Sequence, residues 1–116
     1  MFSFQKLDIY QIAKEVVKLN YQLVKKFPGE EKYALSQQMC RAAVSVPSNI
    51  AEGCSRKSNK DKAYFISISY GSLMELVCQM EIALEVGYIE HSEYEKFVKL
   101  ARNLAVKLSN FTRTLS

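Results

Sequence analysis

Apolar residues in this chain recur at steps of three or four through four successive segments, and that period constrains the fold more than any other feature. The cleanest run is the last: Phe97, Leu100, Leu104, Leu108, Phe111 and Leu115. The first reads Ile9, Ile12, Val16, Leu19, Leu23 and Phe27, widened by Ala13, Val17, Asn20 and Val24. The second carries Leu35, Met39, Ala42 or Ala43, Val46 and Ile50. The third carries Ile66, Tyr70, Leu73, Val77, Met80 and Leu84, and it is apolar on more than one side, as suits a helix with several neighbours. The predicted helices span residues 8–27, 36–53, 59–86 and 92–115 of a 116-residue chain, which is one domain. Connections near 28–35, 54–58 and 88–91 are short, and short loops join antiparallel neighbours. The expected architecture is an all-α, up-down-up-down antiparallel four-helix bundle. Four Gly and two Pro are too few for a turn-rich β fold.

Local signals refine this reading. Asp8 with Gln11, and Ser92-Glu93-Tyr94-Glu95, have capping-box spacing. Ser36 and Ser58 or Asn59 are expected N-caps. Pro28-Gly29 ends the first helix, and Gly53 stands where a glycine closes the second. Pro47 lacks the N–H that bonds the Ala43 carbonyl, so a kink is expected there. Gly71, in the third helix, is expected to mark the close approach of another backbone.

The chemistry available is narrow. There is one His, His91, placed in the third connection with no orienting partner evident, and no glycine-rich phosphate loop. Cys40, Cys54 and Cys78 form no CxxC pair and read as reduced, buried thiols in a cytoplasmic protein. No metal, cofactor or catalytic constellation is expected. The N-terminus reaches Lys6 and Asp8 before an apolar run builds, unlike a signal peptide. The longest charge-free stretch, Ala63–Met74, is shorter than the ~20 residues that span a bilayer.

Charge points to an anionic partner. Sixteen Lys and Arg face twelve Asp and Glu, for a net charge of +4. Residues 75–95 hold six acids and no Lys or Arg, whereas residues 96–116 hold five bases and no acid. On the first helix Lys14, Lys18 and Lys25 share a wedge opposite the apolar face, with Gln11 and Gln22 beside it. On the fourth Lys96, Lys99, Asn103, Lys107 and Asn110 do the same, flanked by Arg102 and Arg113. First and last helices are adjacent in a closed bundle, so these faces are expected to merge and to neutralise phosphates. A second basic element, Arg56, Lys57, Lys60 and Lys62, surrounds the start of the third helix, where free N–H groups favour an anion. Tyr10, Tyr21, Tyr64, Tyr70, Tyr88 and Tyr94 are candidates for stacking on bases, Tyr21 first because it borders the Lys18–Lys25 wedge. Facing positions across the second connection sum to about 113 if the helices are antiparallel, which brings Arg41 within about a turn of Glu75. Arg41, Asn49, Glu52 and Glu75 are therefore expected to form a structural polar network, and Glu52 with Glu75 is not a catalytic pair.

Gln38, Arg41-Ala42-Ala43, Ser45, Asn49-Ile50-Ala51-Glu52-Gly53 and Arg56 resemble the signature of the bacterial 23S rRNA intervening-sequence proteins. Gly71-Ser72-x-x-Glu75-Leu76, Gly87-Tyr88-Ile89 and Phe27-Pro28-x-x-Glu31-x-Tyr33-x-Leu35 fit the same family, and Cys40 stands where it often has a second Arg. The resemblance implies a four-helix bundle assembled as a homopentamer. The family is similar to the accessory variability proteins of diversity-generating retroelements, basic pentamers that associate with a reverse transcriptase and nucleic acid. The expected function is thus a non-enzymatic homo-oligomeric accessory protein that binds nucleic acid, RNA ahead of DNA. The expected binding residues are Lys14, Lys18, Lys25, Arg56, Lys57, Lys99, Arg102 and Lys107. The competing expectation is a scaffold that recruits a partner enzyme, such as a reverse transcriptase, without touching nucleic acid. The third helix and part of the second are expected near the subunit contacts.

Overall fold

A computed structural model describes all 116 residues. Four helices and no strand form the chain: α1 (Asp8–Val24), α2 (Leu35–Cys54), α3 (Asn59–Glu85) and α4 (His91–Arg113). Short 3-10 turns at Ser3–Lys6 and Gly29–Glu31 precede α1 and α2. The body measures 43 × 25 × 23 Å. Its long axis is therefore the length of α3, since 27 residues at about 1.5 Å each span ~40 Å. Each helix packs on its chain neighbours and α1 closes on α4, with no diagonal contact.

The apolar stripes become one core of 22 buried residues. Every residue of the first stripe is in it, from Ile9 to Phe27. So are Met39, Ala42, Ala43, Val46 and Ile50 of α2, and Phe97, Leu104 and Leu108 of α4. In α3 the buried line is Ile66, Ser69, Leu73, Leu76, Met80 and Ala83. The expected line drifts off it: Val77 and Leu84 flank the core, and Tyr70 is exposed. Apolar residues lie all round α3, so period alone does not choose which of two adjacent lines turns inward.

Several helix ends differ from expectation. Asp8 is the first residue of α1 rather than its cap, and Gln11 instead donates to the Gln5 carbonyl of the 3-10 turn at 2.7 Å. The Leu35 N–H at the start of α2 is met by Glu31, not by Ser36, which lies inside the helix (3.3 Å). The other Glu31 oxygen accepts from the Tyr88 hydroxyl at 2.7 Å, tying the start of α2 to the α3–α4 connection. This bond, with some burial, raises the Tyr88 phenol above its ordinary pKa. Ser58 caps α3 as expected, accepting from the Asp61 N–H at 3.1 Å. The α4 cap lies two residues earlier than expected. The Glu93 carboxylate accepts from the Glu90 N–H at 2.9 Å, and His91 belongs to the helix. That bond, reinforced by the Lys26 ammonium, holds the Glu93 carboxyl below its ordinary pKa.

The glycines exchange roles. Gly53 is buried inside α2, one residue before its end, and a Cβ placed there meets Phe65 Cβ at 3.0 Å and the Lys62 carbonyl oxygen at 3.3 Å. Gly53 is thus a point of close approach between α2 and α3, and the left-handed glycine is Gly87, at φ 84° after α3. Gly71 has nothing within 4 Å of a Cβ, so the close approach expected there is absent within the chain. α2 runs on through the buried Pro47. Side chains lace the turn that Pro47 leaves short of one bond: Ser48 Oγ donates to the Val44 carbonyl and Asn49 Nδ2 to the Ser45 carbonyl, both at 2.8 Å. Ser69 Oγ of α3 donates to the Val46 carbonyl at 2.8 Å, a buried bond across the α2–α3 seam.

Candidate nucleic-acid interface

Two ion pairs clip α1 to α4. Lys26, just past the end of α1, meets Glu93 in the first turn of α4. Lys107, near the end of α4, meets Asp8 in the first turn of α1. Between these clips the two helices border a groove of about 730 Å³. Lys18 and Gln22 line it from α1 and Lys96, Lys99 and Asn103 from α4, with Glu15 its one carboxylate. None of the three lysines has an ion-pair partner. Arg102 lies beside this edge, sharing with Lys99 a shallow depression along α4 that also includes His91, Tyr94 and Glu95.

The other expected binding residues are placed elsewhere. Lys14 lies over the Tyr10 ring, 5.0 Å from its centre. Lys107 is held by Asp8. Lys25 leaves the wedge it was expected to share with Lys18 and lines a second groove, between α1 and α2. Helical positions seven residues apart differ by about 20° in azimuth, enough at the rim of α1 to tip a flexible lysine toward either neighbour. Arg56 pairs with Glu52 at 3.1 Å and covers the Phe65 ring at 4.6 Å. Lys57 is exposed and unpaired. The start of α3 already carries its own acceptor, Ser58, and its own acid, Asp61.

The expected polar network forms with different members. Ser45 and Ser72 hydroxyls lie 2.8 Å apart across the α2–α3 seam, and Asn49 donates to Ser45 Oγ at 2.9 Å. Ser45 and Ser72 sum to 117, and Ser69 and Val46 to 115, a register about half a turn to one turn beyond the expected 113, which places Arg41 about level with Glu75. No ion pair joins them. Arg41 is exposed and turns into the α1–α2 groove, while Glu75 accepts from Gln79 at 3.3 Å. Being level along two helices does not put two side chains on the same side of the seam.

His91 has a partner that spacing did not suggest, Glu95 Oε1 at 3.2 Å from its Nδ1, and both groups are exposed. Of the thiols, Cys40 and Cys54 are half-buried and Cys78 is exposed, against the expectation of burial for all three. Burial raises the Cys54 pKa, with Lys62 opposing it. No group of three or more His, Cys, Asp or Glu is assembled where an ion would sit. No helix is long and apolar enough to cross a membrane.

The α1–α2 groove holds what helical periodicity overlooked. Tyr33, 78% exposed, belongs to no helix stripe because it sits in the turn before α2, and it is more exposed than Tyr21, at 43%. The family motif Phe27-Pro28-x-x-Glu31-x-Tyr33 contains it, and that was the available signal.

The fold and this surface define a small all-α protein with an unpaired cationic groove. The family model described as 23S rRNA-intervening sequence protein matches residues 5–110, and the chain belongs to that family. A crystal structure of a protein of unknown function from the S23 ribosomal protein family of Bacteroides thetaiotaomicron superposes with a TM-score of 0.81 at 18% identity, covering 90% of this chain and 95% of that one. That likeness concerns the fold. No curated protein matches the chain.

Proposed function

We propose that this chain is a non-enzymatic accessory protein of the cytoplasm that binds nucleic acid, RNA ahead of DNA, through the α1–α4 groove. In this reading its helices form an antiparallel up-down-up-down bundle, and the bundles assemble as a homopentamer. The observation that carries the reading is the convergence of Lys18, Lys96 and Lys99, all unpaired, on one groove against a single carboxylate. The family's name ties it to ribosomal RNA genes, which favours RNA. Flexible lysines that meet phosphates read charge rather than base identity. Lys18→Glu with Lys99→Glu therefore lowers affinity across unrelated RNA sequences without changing helix content or assembly. Fluorescence anisotropy against salt checks this, with a log–log slope of about −0.7 per phosphate neutralised on a single strand. Wild-type protein that fails to bind RNA at low salt refutes it.

Assembly is supported by a separate observation. Of eleven exposed large apolar residues, four lie on α3, namely Tyr64, Tyr70, Met74 and Ile82, and a fifth, Val86, just past its end. Gly71, open outward among them, lets a neighbouring copy approach. Light scattering is expected to report five subunits, and a monomer at micromolar concentration refutes assembly. The same α3 face supports the scaffold reading, in which it holds a partner enzyme. A protein that assembles but binds no RNA favours that reading.

A further inference from the structure

The groove on the other side of α1 differs in kind from the α1–α4 face. It encloses about 700 Å³ between α1 and the first half of α2, and none of its twelve lining residues is an Asp or Glu. Lys25, Lys32 and Arg41 contribute three cations, none with an ion-pair partner. Tyr21 and Tyr33 contribute two exposed rings. Tyr21 and Lys25 are one turn apart on α1, about 6 Å along its axis. Lys32 lies over the Tyr33 ring, 5.4 Å from its centre. Each ring therefore has a cation beside it. An acidic peptide would use the cations and leave the rings idle, whereas an apolar helix would bury three uncompensated charges at high cost. A single strand of nucleic acid uses both, with bases on the aromatic faces and phosphates on the cations.

We propose that the α1–α2 groove is a base-stacking subsite for single-stranded nucleic acid, with Tyr21 and Tyr33 taking bases and Lys25, Lys32 and Arg41 taking phosphates. The proposal rests on the nucleic-acid reading above and adds a second, chemically different contact to it. The α1–α4 groove offers charge alone, whereas this one offers charge and stacking rings together. A strand crossing the outer rim of α1 passes from one groove to the other, since Lys18 and Lys25, about 20° apart on that rim, each line one of them.

The test compares three probes on the full chain by fluorescence anisotropy at low salt: labelled oligouridylate and oligothymidylate of about 12 nucleotides, and labelled heparin, an anion without bases. Tyr33→Ala removes an exposed ring from a turn outside the core and so leaves the fold intact, which circular dichroism verifies. It is expected to weaken both oligonucleotides by about fivefold or more, the loss of one stacked base, and to leave heparin unchanged. Arg41→Gln is expected to weaken all three probes. Unchanged oligonucleotide affinity in Tyr33→Ala, or an equal loss for heparin, overturns the proposal. Oligonucleotide binding that is sensitive to Tyr33→Ala but indifferent to Lys18→Glu with Lys99→Glu overturns the α1–α4 reading and keeps this one. The opposite pattern does the reverse.

Discussion

Gly53→Ala sets two terms of known sign against each other. Ala in a helix interior is better than Gly by about 1 kcal/mol. The added methyl, however, falls 3.0 Å from Phe65 Cβ and 3.3 Å from the Lys62 carbonyl oxygen. Neither neighbour can swing aside, because a Cβ and a carbonyl move only with their backbone. The α2–α3 seam must open by a few tenths of an ångström, and overpacking of this kind costs about 1–3 kcal/mol. The seam is also braced nearby by the Ser69 bond to the Val46 carbonyl, so the helices do not part freely. The net expectation is a loss of about 1 kcal/mol for Gly53→Ala and about 3 kcal/mol for Gly53→Val, which gains less helix propensity and adds two more methyl groups. Gly71→Ala is the internal control. Nothing lies within 4 Å of its Cβ, so only the propensity term acts and the isolated chain gains about 1 kcal/mol. Urea unfolding followed by circular dichroism measures all three, at one protein concentration because the proposed assembly would make stability concentration-dependent. A Gly53→Ala midpoint equal to or above wild type refutes the reasoning.

Four further outcomes are expected. Asn20 is fully buried with its Nδ2 near Cys40 Sγ at 3.5 Å and its Oδ1 without a partner, so Asn20→Leu is expected to raise stability by about 1 kcal/mol in the same urea assay. Glu31→Ala removes the group that meets the Leu35 N–H and the Tyr88 hydroxyl, with an expected loss of about 1–2 kcal/mol in urea and faster amide exchange at the start of α2. Glu93 has a folded pKa below its unfolded value, so its contribution is fully present above the unfolded pKa of about 4.5 and is lost as pH falls through the folded value. The stability gap between wild type and Glu93→Gln, read from Tm against pH, is expected to close over that window. Burial raises the Cys54 pKa, so at neutral pH Cys54 is expected to alkylate more slowly than a free cysteine, as mass spectrometry of iodoacetamide-treated protein reads.

How far the sequence was legible depended on how sharply each helix is amphipathic. α1 and α4 each present one apolar stripe, and their buried faces followed from spacing, except that Leu100, Phe111 and Leu115 only flank the core and Ala101 enters it. In α3 the apolar residues spread around the helix, so the buried line came out one position away at Ser69, Leu76 and Ala83. The caps were missed at Leu35 and Glu90 for another reason. Glutamates at positions 31 and 93 outcompete the neighbouring serines, and their reach depends on turns that no short motif encodes. The polar network was half legible. Register along the α2–α3 seam follows from loop length to within about a turn, but the side of the helix on which Arg41 emerges does not.

Charge shows the same division most clearly. The sequence sums to +4, yet a sum does not say which cations are free. Folding pairs Lys26 with Glu93, Lys107 with Asp8 and Arg56 with Glu52, and lays Lys14 over Tyr10. These contacts occupy three of the eight cations expected to bind nucleic acid, and they do so at the bundle's ends and rims. The ion pairs at the two ends of α1 and α4 hold these helices side by side, and Lys18, Lys96 and Lys99 in the middle have no acid opposite except Glu15. Exposed pairs of this kind contribute about 0–1 kcal/mol to stability, so their larger effect is geometric. They fix where the unpaired cations stand, and under the proposed function a phosphate would meet those cations without first displacing a carboxylate. Lys107→Ala, which frees Asp8 near the groove, should therefore weaken RNA binding even though Lys107 itself is already paired. An affinity unchanged by that substitution, measured beside Lys99→Ala as the direct contact, would show that the clips do not shape the surface.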